Sequence, residues 1–87
     1  MKLITDHHLA RRLARTIISD ITVYNIKKIK DGLKSDTLFE LLGKEIEQGR
    51  RIYRSRVSPD IVESGRFYDH AIVDIMLKQS IDSESMI

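Results

Sequence analysis

The sequence predicts an all-α fold, a small bundle of three to four helices in a single domain that spans residues 1–87. Apolar residues recur at helical spacing along most of the chain, and residues that favour helix ends separate these stretches. A chain of 87 residues fits one domain and buries only about 60–65% of its unfolded surface. The predicted helices cover residues 6–24, 26–33, 36–56 and 66–80.

The first predicted helix begins after Thr5 and Asp6, because the Asp carboxylate is able to accept hydrogen bonds from the free amides of the first turn. Leu9, Leu13, Ile17 and Ile21 then recur every four residues. Ala10, Ala14 and Ile18 lie beside them and complete one apolar face at helical period.

The stretch 19–25 favours a helix less, because β-branched residues lose side-chain freedom there. A β-strand is the alternative interpretation, although no partner strand follows. Asn25 suits a joint between two helices. A short second helix then turns Ile26 and Ile29 inward and its lysines outward, and Gly32 marks its end.

Ser35 and Asp36 are predicted to cap the third helix, which carries a long apolar stripe. Two glycines, Gly43 and Gly49, lie inside this helix at a cost of about 1 kcal/mol each relative to alanine. Close approach of a second helix would explain them, and simple tolerance would explain them equally.

The Ser-Pro-Asp sequence at 58–60 is a strong helix start. We expect only a short turn over 59–64, because Gly65 interrupts it. A last helix then runs to residue 80, and the tail 81–87 is expected to fray.

Composition and motifs exclude several classes of function. The chain has no Cys, which excludes disulfides, thiolate metal sites and cysteine nucleophiles. Its glycines match neither a phosphate-binding loop nor a dinucleotide fingerprint, and no Gly-x-Ser-x-Gly elbow occurs. The first residues lack a signal-peptide pattern, and no apolar run approaches the ~20 residues of a membrane helix. We therefore expect a cytoplasmic protein that is not an enzyme, needs no cofactor and has no membrane partner.

The net charge of +2 conceals an uneven distribution. Residues 1–56 carry 13 Lys and Arg against 7 Asp and Glu, a net charge of +6, whereas residues 57–87 carry 2 against 6, a net charge of −4. The two parts are able to attract each other, within one molecule or between two. Ordinary solvated helix faces account for the same pattern and are the favoured interpretation.

The histidines give a weak metal-binding signal. His70 and Asp74 share a helix face at i, i+4, and Asp69 adjoins them. They would supply two ligands of an open site, whereas a stable zinc site needs three or four. A local His–Asp hydrogen bond or a solvated pair is the favoured interpretation, so no metal site is predicted.

Two arginine clusters are the candidate nucleic-acid contacts, because together they would follow a phosphate backbone. Against this, the would-be recognition helix begins with the acidic residues Asp36 and Glu40, and few aromatic residues are available to stack on bases. The candidate contacts are Arg11, Arg12, Arg15, Arg50, Arg51 and Arg54.

Two polar-aromatic groups are also candidates for a docking surface, namely Tyr24 with Asn25, and Tyr53 with Arg54 and Arg56. The favoured interpretation is structural: both tyrosine rings pack in the core and keep their hydroxyls at its rim.

Several local motifs occur in a distinctive order. They are Ala-Arg-x-Ile-Ile-Ser-Asp-Ile-x-x-Tyr-Asn at 14–25, Gly32, Leu-Phe-Glu at 38–40, Glu-Ile-Glu-Gln-Gly-Arg at 45–50 and Tyr-x-x-Arg-Val at 53–57. This order, over about residues 9–80, resembles a short helical accessory module of bacterial multidomain proteins, found beside response-regulator-like or zinc-ribbon domains. The resemblance implies an accessory, regulatory or assembly role and assigns no functional residue. Members often carry Pro after the Tyr-Asn pair, where this chain has Ile26.

We therefore predict a non-enzymatic helical protein–protein interaction or assembly module, which forms a homodimer or docks on a partner protein. The reason is that its broad apolar faces exceed what 87 residues bury internally, so a surplus face is left for a partner. The alternative is a small basic nucleic-acid-binding protein. The predicted core residues are Leu9, Leu13, Ile17, Phe39, Leu42, Ile46, Ile72 and Ile75.

Overall fold

The computed structural model describes residues 2–77, and these residues form five α-helices followed by a π-helical segment. The predicted all-α class is confirmed, while the number of helices exceeds the predicted three to four. Residues 78–87, which hold the predicted end of the last helix and the tail 81–87, lie outside the described residues. The elements are α1 (His7–Tyr24), α2 (Ile26–Ser35), α3 (Leu38–Arg56), α4 (Pro59–Gly65), α5 (Phe67–Ala71) and the π-helical segment Ile72–Leu77.

Helix α1 begins as predicted and continues through the β-branched stretch. The Asp6 carboxylate accepts hydrogen bonds from the backbone N–H of His8 at 2.7 Å and of Leu9 at 3.3 Å. The alternative strand is wrong, since α1 runs to Tyr24. Asn25 forms the predicted joint, and its side-chain amide donates to the Ile21 carbonyl at 2.8 Å.

The α2–α3 junction differs from its prediction at both sides. Helix α2 passes through Gly32, which contacts α3 so closely that a Cβ there would lie 2.8 Å from the Leu38 Cα. Asp36 closes α2 in the left-handed conformation, at φ 60°, instead of capping α3. The Ser35 hydroxyl bonds with the Thr37 hydroxyl at 2.7 Å, and α3 follows Thr37.

The C-terminal third holds two helices where the sequence predicts a turn and one long helix. Helix α4 includes Gly65 and begins without a side-chain cap, because the Ser58 hydroxyl makes no capping hydrogen bond. Arg66 follows in the left-handed conformation at φ 50° and separates α4 from α5. The predicted helix 66–80 is therefore a short α-helix that widens to π-helical pairing at Ile72.

The predicted apolar face of α1 meets the core, but its most buried side is the one that carries the alanines. Ala10, Ala14 and Ile18 are fully buried, whereas Leu9 is 52% exposed and was wrongly predicted as core. Alanines let the neighbouring helices approach α1 closely, and this turns the larger side chains beside them toward the edge of the core. Phe39 is the other error, at 63% exposed. Of the remaining predicted core residues, the three that are buried are Leu42, Ile46 and Ile72. The three that are partly buried are Leu13, Ile17 and Ile75.

The two glycines of α3 have different explanations. Gly49 is a close-approach position, because a Cβ there would lie 2.8 Å from the Ile17 Cγ2 and would also collide with the Tyr68 hydroxyl. Gly43 has no neighbour within 4 Å of an added Cβ, so it is tolerated rather than required. Helix α1 therefore packs against α3 at Gly49 and leaves the surface at Gly43 open.

Within residues 2–77, no helix combines the length with the apolar character that crossing a bilayer demands.

Candidate interaction surfaces

The first arginine cluster lies along α1 and is partly neutralised. Arg11 and Arg15 line a cavity of about 210 Å³ together with His70 and Asp74. The Arg15 Nη1 lies 3.8 Å from the Asp74 Oδ2, and both side chains are about half exposed. Arg12 is exposed. One of these three arginines is thus already paired with a carboxylate of its own chain.

The second arginine cluster contains one residue that is paired within the molecule and two that are exposed. The Arg50 Nη2 donates to the Asp69 Oδ1 at 2.8 Å, and its Nε lies 3.8 Å from the Glu47 Oε1. The Arg50 guanidinium also stacks over the Tyr68 ring, 4.9 Å from its centroid. Arg51 and Arg54 are exposed. Arg50 therefore joins α3 to α5, whereas Arg51 and Arg54 have no ion-pair partner within residues 2–77.

The uneven charge distribution has a visible consequence inside the molecule. The pairs Arg15–Asp74 and Arg50–Asp69 each join the basic residues 1–56 to the acidic residues that follow. The less favoured interpretation of the charge pattern, attraction between the two parts, therefore accounts for two ion pairs within one molecule. Arg15, Asp74 and Asp69 are about half exposed and the Arg50 side chain is 26% exposed, so solvent screens both pairs and each contributes no more than about 1 kcal/mol.

His70 and Asp74 do meet at one cavity, as their spacing predicts, but Arg11 and Arg15 line it as well. Two guanidinium groups beside a bound cation would repel it. Among residues 2–77, no group of three or more potential metal ligands comes together.

The tyrosines divide against expectation. Tyr24 is 85% exposed, so its predicted place in the core is wrong. Tyr53 is buried as predicted, at 2% exposure, but its hydroxyl is enclosed rather than at the rim and has no hydrogen-bond partner within the described residues. The hydroxyl of Tyr68, also buried, donates to the Ile46 carbonyl at 2.7 Å. Burial raises the pKa of Tyr53 above its ordinary value and that of Tyr68 to about 12, so both hydroxyls keep their protons at neutral pH.

An apolar groove of about 430 Å³ runs between α3 and the π-helical segment, and we call it the α3 groove. Phe39 stands on one wall, 63% exposed, and Val73 on the other, 56% exposed. Gly43 contributes open space beside Phe39. Charged residues border one part of the groove, and they are Glu47, Arg50 and Asp69.

Sequence reasoning missed this groove. Phe39 sits in the apolar stripe of α3 and was assigned to the core, and Val73 gave no signal apart from its apolar neighbours. Phe39 at i and Gly43 at i+4 do share a helix face, and that spacing was the available hint.

No family model, curated protein or solved structure was found to be similar to this chain. The resemblance to a bacterial accessory module therefore stays a prediction, and function has to be argued from the chain's own surfaces.

Proposed function

We propose that this protein is a cytoplasmic, non-enzymatic helical assembly module that forms a homodimer through the α3 groove. The observation that carries the proposal is the pairing of an exposed Phe39 with an apolar groove that residues 2–77 leave open beside Gly43. Exposed aromatic side chains next to apolar grooves are typical anchors of protein interfaces.

A second copy fits this groove because the surface is self-complementary. In a two-fold dimer, a residue i that contacts j of the partner is matched by j contacting i. Phe39 of each copy would then lie in the open space beside Gly43 of the other. The border of the groove carries both signs of charge, with Arg50 beside Glu47 and Asp69, so a two-fold axis is able to place opposite charges together.

The nucleic-acid alternative has less support. Of the six candidate arginines, Arg15 and Arg50 are paired with carboxylates of the same chain, which reduces the charge offered to phosphates. If several phosphates were neutralised, affinity would fall steeply with rising salt. Absence of nucleic-acid binding at low salt would remove this alternative.

The test is the solution mass by light scattering, measured from about 1 μM to about 1 mM protein. We expect a concentration-dependent dimer. Val73→Asp should weaken it by at least about tenfold, because the substitution occurs twice in a two-fold interface and each copy loses about half the burial of a valine. Phe39→Glu should have the same effect.

Val23→Asp is the matched control, since Val23 is also helical, is 63% exposed and lies away from the groove. This variant should dimerise like the wild type, and circular dichroism should show equal helix content in all variants. A wild-type monomer throughout the range, or equal loss of dimer in both Val variants, would overturn the proposal.

A further inference from the structure

A small cavity of about 180 Å³ lies where α3, α4 and α5 meet, and we call it the arginine cavity. Three arginines line it, Arg50 and Arg54 from α3 and Arg66 from the α4–α5 junction. Drug-sized ligands occupy about 300–1,000 Å³, so this volume suits a much smaller one. At about 30 Å³ per water molecule it still has room for a group of several non-hydrogen atoms.

The second observation is the hydroxyl of Tyr53. Tyr53 lines the arginine cavity, is 2% exposed and keeps its hydroxyl without a hydrogen-bond partner within residues 2–77. A buried unpaired polar group is costly and calls for an explanation. Since its pKa is raised, this hydroxyl carries a proton at neutral pH and is available to donate. The neighbouring Tyr68 hydroxyl is already used by the Ile46 carbonyl.

The third observation is the backbone of Arg66. Arg66 adopts φ 50°, a conformation that favours glycine and is uncommon for a long side chain. Non-glycine residues held in this region are found more often at binding sites than elsewhere. Within the described residues neither Arg66 nor Arg54 has an ion-pair partner, whereas Arg50 is held by Asp69 at 2.8 Å.

We propose that the arginine cavity binds a phosphoryl group, either as inorganic phosphate or as a phosphate monoester. Arg54 and Arg66 supply guanidinium forks, which match the geometry of phosphate oxygens. Tyr53 belongs to the cavity wall, and its unpaired hydroxyl is the third donor of the proposed site. A phosphoryl group carries up to two negative charges and three terminal oxygens, whereas a carboxylate carries one charge and two oxygens, so two guanidinium groups favour the phosphoryl group. This site is distinct from the α3 groove and does not depend on dimerisation.

The acidic residues of the cavity indicate which anion it should prefer. Glu63 and Asp69 also line it, and a carboxylate accepts a hydrogen bond only from a protonated oxygen. Inorganic phosphate carries such an oxygen at neutral pH. A phosphate monoester carries one only as its monoanion, which is the minor form at pH 7 because its second pKa is about 6. Sulfate carries none, so the cavity should prefer phosphate to sulfate.

The experiment is a titration of the full chain, followed by isothermal calorimetry and by chemical shifts of backbone amides. The probes are inorganic phosphate, sulfate, a short phosphoserine peptide and its unphosphorylated form. We expect phosphate to bind with a Kd no weaker than about 1 mM and sulfate to bind more weakly. Tighter binding of the phosphopeptide would identify a modified partner protein as the source, and tighter binding of inorganic phosphate would identify the free ion.

The variants separate binding from folding. Tyr53→Phe removes only the unpaired hydroxyl, and Arg66→Gly places glycine where φ is positive, so both should fold. Each should weaken phosphate binding by about tenfold or more, because a hydrogen bond to a charged group is lost. Arg54→Gln should do the same. Arg51→Gln is the matched control, since Arg51 is exposed on the same helix outside the cavity and should leave binding unchanged.

Three results would overturn this assignment. They are the absence of saturable phosphate binding, sulfate binding as tight as phosphate binding, and equal weakening by Arg51→Gln and Arg54→Gln. The last would mean that phosphate is attracted by general surface charge. A monomeric wild-type protein that still binds phosphate in the cavity would overturn the proposed homodimer and support the phosphate site.

Discussion

The two buried tyrosines provide a sharp test of the interior, because the same substitution should change stability in opposite directions. Tyr53→Phe removes a hydroxyl that is buried without a partner. Leaving such a group unsatisfied costs about 1–3 kcal/mol, while the small void left by one oxygen atom costs a few tenths of a kcal/mol. We expect a net stabilisation of about 1 kcal/mol, which corresponds to a melting temperature about 4–8 °C higher for a domain of this size.

Tyr68→Phe removes a hydroxyl that donates to the Ile46 carbonyl at 2.7 Å. A neutral hydrogen bond contributes about 0.5–1.5 kcal/mol, so this variant should be less stable by about 1 kcal/mol. The two tyrosine rings lie 5.8 Å apart between centroids and remain in both variants, which makes each a control for the packing of the other.

The assay is thermal and urea unfolding followed by circular dichroism at pH 7 in phosphate-free buffer. Phosphate is omitted because a ligand that binds only the folded state raises its apparent stability. When phosphate is then added, the wild type should gain stability and Tyr53→Phe should gain much less. If Tyr53→Phe were destabilised as much as Tyr68→Phe in phosphate-free buffer, the Tyr53 hydroxyl would have a partner and the reasoning would be refuted.

Two further predictions concern the glycines of α3 and alkaline pH. Gly49→Ala should destabilise the protein by about 1–3 kcal/mol, because its Cβ would lie 2.8 Å from the Ile17 Cγ2. Gly43→Ala should stabilise the monomer by about 0.5–1 kcal/mol, because residues 2–77 leave open space around it. Urea unfolding at a protein concentration low enough to keep the chain monomeric checks both, and equal effects would contradict the packing described for Gly49. The pKa of Tyr68 is raised to about 12 from 10.0, chiefly by burial, so its stabilising contribution is complete below pH 10 and is lost as pH rises toward 12. Unfolding between pH 8 and 12 should show this loss reduced in Tyr68→Phe, and an identical decline in both proteins would contradict it.

The helices were predictable because their signals are local. The Asp6 cap, the Asn25 joint and the helical repeat of apolar residues lie within a few positions of what they determine. The face of α1 that is buried was not predictable in the same way. The stripes at 9, 13, 17 and at 10, 14, 18 are neighbours on the helix, and hydrophobicity alone favours the larger side chains of the first. Packing places the second stripe deepest and leaves Leu13 and Ile17 partly buried beside it, because alanine permits closer approach than leucine.

The sequence indicated only some of the residues that line the arginine cavity. The group of Tyr53 with Arg54 stood out in the sequence as polar and aromatic, and both residues line the cavity. Arg66 comes from a junction that was expected to be the start of a helix, and its positive φ has no sequence signal, since glycine is the residue typical of that conformation. Only the meeting of three helices places Arg66 opposite α3.

The uneven distribution of charge along the chain is explained in part by ion pairs within the molecule. Two of the acidic residues after position 56 form ion pairs with specific basic residues, since Asp74 pairs with Arg15 and Asp69 pairs with Arg50. The first pair joins the π-helical segment to α1, and the second joins α5 to α3. Within residues 2–77, Arg54 and Arg66 have no ion-pair partner, and Tyr53, whose hydroxyl is unpaired, belongs to the wall of the cavity that they line. The proposed anion site depends on this local excess of donors and not on the net charge of +2 spread over the surface. Composition indicates a weakly basic protein, whereas the pairing of its charges determines where an anion would bind.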